Sequence, residues 1–225
     1  MIVWIPKEVE IRAIPKAVVG VEPRTHQSWY EDMITFNWNK VKRTTESLVA
    51  QDIALTKWAD SFYETLLQAN ANANWVGRDL VAKGTTKFGV NDMLKARGFA
   101  DVDAEYLSGF IDDILAGRYT TEDGLLNERQ ILARQRLYFG KVRGVAGQAS
   151  VDALEKETLI YWRLGGVEKH CTDCPRLASI SPFFKDDLFA TPGSCDTECL
   201  GNCLCHLEFK INDKMVESIR PVKLN

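Results

Sequence analysis

Cysteine is missing from residues 1–170 of this chain, which is 225 residues long. No run of apolar residues approaches the ~18 that a membrane-spanning helix needs. The N-terminal segment is interrupted by charged residues such as Lys7, Glu10 and Arg12, unlike the apolar core of a secretory signal peptide. We therefore expect a protein that is made and kept in a reducing cytoplasm and that has no membrane partner.

Charge of one sign is not in excess, because 28 basic residues face 31 acidic ones and the formal net charge is −3. This balance disfavours a protein that binds nucleic acid through bulk positive charge. Only three histidines are present, His26, His170 and His206, which is a poor supply for a catalytic triad. Phosphate-binding and dinucleotide-binding fingerprints are also missing from the sequence. We expect no enzymatic activity.

Three segments of the chain differ in pattern. Three prolines among β-branched residues predict an extended arm over residues 1–25. Apolar residues at helical spacing predict a helical body over 26–157. Residues 158–225 contain two probable strand patterns, at 158–164 and 206–211, and therefore predict a small β module. The expected fold class is α+β, mainly α, with a helical body and a small C-terminal β-hairpin module.

Within the helical body, an apolar residue recurs every seventh position and predicts one long helix over about 27–70. The Asn70–Asn74 run is expected to end this helix. Asn91 and Asp103 are expected to cap two of the shorter helices that follow. The apolar repeat consists of Ile34, Val41, Leu48, Leu55 and Phe62, and the shorter helices are expected at 75–83, 91–98, 103–116 and 122–147.

The last two predicted helices carry opposite charges. Residues 101–117 are acidic without any lysine or arginine, whereas Arg129, Arg136 and Arg143 share one face of the next helix. The two helices neutralise each other, are merely solvated, or present a patch to DNA or to an acidic partner. The basic helix also contains Gly140, Gly144 and Gly147, whose spacing either allows close approach of another backbone or marks fraying.

All six cysteines lie between Cys171 and Cys205, in a segment with too few apolar residues to form its own core. Clustered thiols in a cytosolic chain indicate a metal site, and soft thiolates favour zinc or an iron–sulfur cluster. Two or more disulfides remain an alternative. A closed structural zinc site takes four protein ligands. The candidate ligands are Cys171, Cys174, Cys199, Cys203 and Cys205.

Cys171 and Cys174 form the firm pair of this candidate site, because a two-residue gap lets both sulfurs face one metal ion. The remaining ligands stay open, with Cys195 as the expected spare cysteine and His170 as a neighbour of the site. A thioredoxin-like redox motif is disfavoured, since Pro175 and the loop-rich residues after it do not predict the helix that such a motif needs.

Several motifs resemble the C-terminal module of tailed-phage head-morphogenesis, or minor capsid, proteins. The matching segments are Trp162–Cys174, Thr191–Gly193 and Cys199–Leu207, and the likeness extends upstream to Tyr106–Gly117 and Gln130–Tyr138. The resemblance departs from the family pattern at Leu204, where the family usually has arginine between its last two cysteines. Cys195 is an addition to that pattern.

The resemblance implies a non-enzymatic virion structural or head-assembly protein with a structural zinc site. Its expected partners are the phage portal, the major capsid protein or the packaged DNA, within a multi-copy assembly. Its expected locations are the virion and, during assembly, the host cytoplasm. The alternative is a cytosolic zinc-ribbon adaptor or nucleic-acid-binding module. Against this alternative, Arg176 and Lys185 are the only basic residues between the first and last cysteines.

Overall fold

Four long helices and a three-stranded antiparallel sheet account for most of the computed structural model, which describes residues 25–224. The expected fold class, α+β and mainly α, is confirmed. Of the arm expected at 1–25, all but the last residue lies outside the described residues. The elements are α1 (His26–Val49), α2 (Leu55–Val81), α3 (Val90–Leu115), α4 (Glu128–Ala153), β1 (Leu159–Arg163), α5 (Asp173–Ile180), β2 (His206–Ile211) and β3 (Lys214–Glu217).

The prediction of a single helix over 27–70 is wrong, because the chain turns after Val49 and α2 begins at Leu55. Gln51 adopts a left-handed conformation, with φ of 62°. The amides of Gln51 and Asp52 bond to the carbonyls of Leu48 and Ser47, so that the helix ends in a Schellman motif. Glycine usually occupies this left-handed position, and a glutamine there gives no stop signal in the sequence.

The Asn70–Asn74 run does not end a helix but lies buried in the middle of α2. The Asn72 side chain donates to the Gln68 carbonyl within the helix, and Asn74 donates to Asp92 of α3 at 2.8 Å. A carbonyl of the same helix satisfies the Asn72 amide, and a carboxylate of α3 satisfies the Asn74 amide, although exposed asparagines favour turns. The short helix expected at 75–83 is the last part of α2.

The helices expected at 91–98 and 103–116 form one continuous helix, α3. Its N-terminal cap is Gly89 and not Asn91, since the Asp92 carboxylate accepts a hydrogen bond from the Gly89 amide. Asp103 does not cap a helix either. It is buried in the middle of α3 and pairs with Lys141 of α4 at 2.9 Å. This ion pair joins the acidic helix to the basic one, so the two neutralise each other at this point.

The helix expected at 122–147 begins and ends later, at Glu128 and Ala153, with the Asn127 side chain as its N-terminal cap. Two of its glycines lie against other backbone. A Cβ at Gly144 would lie 2.5 Å from the Gly193 carbonyl, and one at Gly140 would lie 2.8 Å from the Gly201 carbonyl oxygen. The glycine spacing therefore marks close approach and not fraying.

Aromatic side chains fill the core of the helical body. Phe62 of α2 meets Tyr138 and Phe139 of α4 edge-on and face-on, with ring centroids 5.5 Å and 6.5 Å apart. Trp58 meets Phe110 of α3 in an edge-on contact at 5.5 Å. Helices α1, α2, α3 and α4 thus share one apolar core. No helix among residues 25–224 has the length and apolar content to cross a membrane.

The sheet has the strand order β1-β2-β3, and β2 pairs antiparallel with both neighbours. The two expected strands are present, but β3 was not expected. A two-residue turn at Asn212 and Asp213, both with positive φ, joins β2 to β3. This conformation matches the type I′ turn that such residues favour in tight hairpins. The dipeptide was therefore a usable hairpin signal.

The β module packs against the helical body through shared apolar residues. Val151 and Leu154, at the end of α4, belong to the same buried cluster as Ile160, Trp162 and Phe209 of the sheet. Beyond β3, Ile219 is buried in the core of the helical body. Each part of the described chain therefore contributes residues to the buried cluster of the other.

Substituting Gly77 tests the close crossing of α2 and α4. A Cβ at Gly77 would lie 2.0 Å from the Ala146 carbonyl oxygen. We expect Gly77→Ala to lower the free energy of unfolding by about 1–3 kcal/mol, because the helices must move apart. In the matched control, Gly109→Ala, the added Cβ meets no atom within 4 Å, and we expect a gain of about 0.5–1 kcal/mol from helix propensity. Urea denaturation measures both values, and equal losses would contradict the close crossing.

Candidate metal centre

Five cysteines that are far apart in the sequence meet beside the sheet. Cys171 and Cys174 lie at the start of α5, and Cys199 lies just before a 3-10 turn at Leu200–Asn202. Cys203 follows this turn, and Cys205 directly precedes β2. The structure therefore brings together all five candidate ligands.

Three of these sulfurs, those of Cys171, Cys174 and Cys199, are spaced like one face of a tetrahedral metal site. Cys171 Sγ lies 3.4 Å from both Cys174 Sγ and Cys199 Sγ. Cys174 Sγ lies 3.6 Å from Cys199 Sγ and 3.7 Å from Cys203 Sγ. A tetrahedron with Zn–S bonds of about 2.3 Å has S–S edges of about 3.8 Å, whereas a disulfide bond is about 2.05 Å long. All six cysteines are free thiols in this structure.

The five sulfurs form two groups of three that share Cys174. One group contains Cys171 and Cys199, and the other contains Cys203 and Cys205. In each group, all three sulfurs lie within 4.8 Å of one another. Four of the five thiols are enough to close a tetrahedral site, and the choice among them stays open.

The protonation of the thiols depends on their close packing. Burial raises the pKa of Cys174, and the hydrogen bond that Cys203 donates to Cys205 raises the pKa of Cys203. The same hydrogen bond, helped by the Gly165 amide and the Cys174 thiol, lowers the pKa of Cys205 to about 5. Thiols this close together oppose each other's ionisation, whereas a bound cation deprotonates all of its sulfur ligands.

Arg143 of α4 holds the last two cysteines in place. Its side chain is buried, with 4% of the residue exposed. One guanidinium nitrogen donates to the Cys205 carbonyl at 2.6 Å, and the other donates to the Cys203 carbonyl. The planar fork of arginine matches two such acceptors. The contact fixes the backbone between the two cysteines against the helical body.

Two carboxylates join the two halves of the cysteine-rich segment. Asp173 accepts a hydrogen bond from the Glu198 amide, and Glu198 accepts one from the Thr172 amide, both at 3.0 Å. These residues adjoin Cys171, Cys174 and Cys199. The two hydrogen bonds therefore hold the segment that contains Cys171 and Cys174 next to the segment that contains Cys199. Orienting contacts of this kind are typical of metal sites.

The remaining candidates lie at the edge of the cluster. His170 Nδ1 is 4.0 Å from Cys205 Sγ, which makes it a neighbour of the site. Cys195 belongs to neither group of three. His206 lies close to Glu208 and Glu217, but Arg163 and Arg220 pair with these two carboxylates.

The prediction of a loop after Cys174 is wrong, because α5 covers Asp173–Ile180. The disfavoured thioredoxin-like motif needs a βαβ unit, and the sheet of the described chain is antiparallel throughout. Pro175 lies in the first turn of α5, where the missing amide hydrogen costs no hydrogen bond. This position is a helix-start signal that the sequence interpretation missed.

Sequence analysis also missed the role of Arg143 at the site. The arginine repeat placed Arg143 on the same face as Arg129 and Arg136, which are both exposed. Tertiary contacts were needed to identify its carbonyl partners.

No protein-family model, curated protein or solved structure matches this chain. The resemblance to head-morphogenesis proteins therefore rests on the motif residues.

We expect Arg143→Gln to lower the metal affinity of the cluster by about 10–100-fold, because residues that orient metal ligands contribute this much. Arg129→Gln is the matched control, since it removes an exposed arginine of the same helix. Competition with a chromogenic chelator measures both affinities. Equal affinities of the two variants would contradict the role of Arg143.

Proposed function

We propose that the five-thiol cluster holds one structural zinc ion. The observation that carries this proposal is the set of S–S distances of 3.4–3.7 Å, which correspond to tetrahedral edges and not to disulfides. A zinc ion with four thiolates has a double negative charge. The buried guanidinium of Arg143 is well placed to offset this charge.

A structural role of the metal agrees with the supply of ligands. Five thiols surround the site, so protein ligands can fill all four positions and leave none open to a substrate. When bound, zinc would crosslink α5, the loop that contains Cys199 and the start of β2. Arg143 of α4, which donates to the Cys203 and Cys205 carbonyls, would hold this crosslinked unit against the helix. We propose that the protein is not an enzyme.

We further propose that the chain is a virion structural or head-assembly protein of a tailed phage, with the portal or major capsid protein as partner. The support is the cysteine motif and its flanking residues, which resemble that family. The cysteines of this motif are the ones that meet in space. The proposed locations are the virion and the host cytoplasm during assembly.

The second candidate, a nucleic-acid-binding zinc module, has less support. Arg143 is buried on backbone carbonyls. Near the cluster, Arg176 pairs with Asp173, and Lys185 donates to the Leu154 carbonyl. These cations are engaged within the chain, whereas phosphate binding needs free basic side chains.

The zinc proposal predicts about one zinc per purified chain. Loss of the ligands Cys171 and Cys174 by double serine substitution should abolish zinc binding. It should also make residues near 175–200 sensitive to protease, because structural zinc contributes about 10–16 kcal/mol in finger peptides. Helical circular dichroism should stay nearly intact, since the aromatic core of the helical body lies elsewhere.

Cys195→Ser is the matched control for this experiment, because it removes a cysteine outside the cluster. Its zinc content and protease resistance should equal those of the wild-type chain. A wild-type protein without zinc would contradict the metal assignment. Loss of helical signal in the double variant would show that the helices depend on the metal.

The proposed assembly role predicts that the protein is present in purified phage particles or in their assembly intermediates. Quantitative mass spectrometry of both fractions, with portal and major capsid proteins as internal references, measures its copy number. A fixed ratio to the portal is the expected result. Absence from both fractions would favour the adaptor alternative.

A further inference from the structure

A groove of about 370 Å³ lies between α3, α4 and the 3-10 turn at Leu200–Asn202. Apolar side chains form its rim and are exposed to solvent: Tyr106 is 54% exposed, Leu137 43% and Leu200 54%. Tyr106 belongs to α3 and lines this groove. An apolar rim of this kind is typical of a binding surface.

One side of this groove is formed by Leu200, which the cysteine cluster holds in place. Leu200 lies between Cys199 and Cys203 and has a φ of 51°. A left-handed conformation is costly for a leucine and is retained only where the surrounding structure enforces it. Here the backbone on both sides of Leu200 belongs to the cysteine cluster. The Leu200 side chain is therefore exposed to solvent at the rim of the groove.

The opposite wall contains two polar side chains, Arg134 and Tyr138, which lie one helical turn apart and face each other without a hydrogen bond of normal geometry. The Tyr138 hydroxyl is buried and has no hydrogen-bond partner among the described residues. Arg134 lines the same groove, and its Nε likewise has no partner within residues 25–224. Buried polar groups are rarely left unpaired, so each such group needs an explanation.

Two basic residues line the groove, Lys141 and Arg134, and only one of them is neutralised by an acidic side chain among the described residues. Lys141 is paired with Asp103 at 2.9 Å and lies over the Tyr106 ring. Arg134 forms no ion pair with the part of the chain that the structure describes. The groove therefore offers an apolar rim beside one uncompensated cation. The complementary ligand carries an apolar side chain next to a carboxylate.

We propose that this groove binds a peptide segment of a partner protein in which a leucine-like side chain adjoins an acidic one. The apolar side chain packs between Tyr106, Leu137 and Leu200. The carboxylate pairs with Arg134, and the Tyr138 hydroxyl becomes able to donate a hydrogen bond. This inference goes beyond the proposed assembly role, because it specifies the chemistry of a partner and does not depend on where the protein acts.

Fluorescence anisotropy of labelled peptides tests the proposal on the purified zinc-loaded chain. The probe is an eight-residue peptide of alternating leucine and glutamate. Two matched peptides replace every glutamate by lysine, or every leucine by serine. We expect the leucine–glutamate peptide to bind at least about tenfold more tightly than either matched peptide, because each lacks one of the two contacts.

Three variants of the chain probe the groove. Leu137→Ser and Arg134→Gln should each weaken binding about tenfold. Leu200→Gly should do the same without destabilising the chain, since glycine adopts the left-handed conformation readily. Leu125→Ser and Arg129→Gln are the matched controls, because they change exposed residues outside the groove, and they should bind like wild type.

The zinc content of each variant is measured in parallel, so that a failed metal centre is distinguished from a failed groove. Normal zinc content with no peptide binding would overturn the groove proposal alone. Binding that survives the groove substitutions, or that is equal for the lysine peptide, would also overturn it. Sedimentation is the last check: dimers that the Leu137→Ser variant abolishes would assign the groove to a second copy of this chain.

Discussion

The buried guanidinium of Arg143 joins the two halves of this protein. An arginine that is 4% exposed has lost most of its hydration, and such a loss is tolerated only where hydrogen bonds and opposite charge replace the water. The carbonyls of Cys203 and Cys205 supply the hydrogen bonds. A thiolate-bound zinc ion, as proposed, would supply the charge. Metal binding and docking of the module on α4 are then one coupled event, because each stabilises the groups that the other needs.

Small residues make this contact possible. Gly140 and Gly144 allow the backbone of the cysteine-rich segment to lie directly on α4, which brings Arg143 within reach of the two carbonyls. On another side of the same helix, Gly77 allows α2 to cross close to Ala146. Helix α4 is therefore packed on two sides through backbone contacts. This close packing explains why a helix that contains three glycines is nevertheless central to the fold.

The cluster also controls the surface around it. Its ligands flank the turn that holds Leu200 in a strained, exposed position. A loop of this length without a crosslink would relax the strain and withdraw the leucine, since a left-handed leucine is unfavourable in a free chain. In the proposed arrangement, zinc shapes the groove indirectly. It keeps the Leu200 side chain exposed at the rim, opposite Arg134 and Tyr138.

Much of the fold followed from the sequence because it depends on local patterns. Apolar periodicity predicted a helical body, alternation predicted β1 and β2, and the spacing of the cysteines predicted that Cys171, Cys174, Cys199, Cys203 and Cys205 would meet. Helix ends were less predictable, because Gln51 occupies a position that glycine usually takes. The burial of Asn74 in α2 and the placement of Asp103 depended on partners in other helices. The exposure of Leu200 depends on how the cysteine cluster folds around it. The role of Arg143 was decided by tertiary structure, since the Cys203 and Cys205 carbonyls lie close to it in space but more than fifty residues away along the chain.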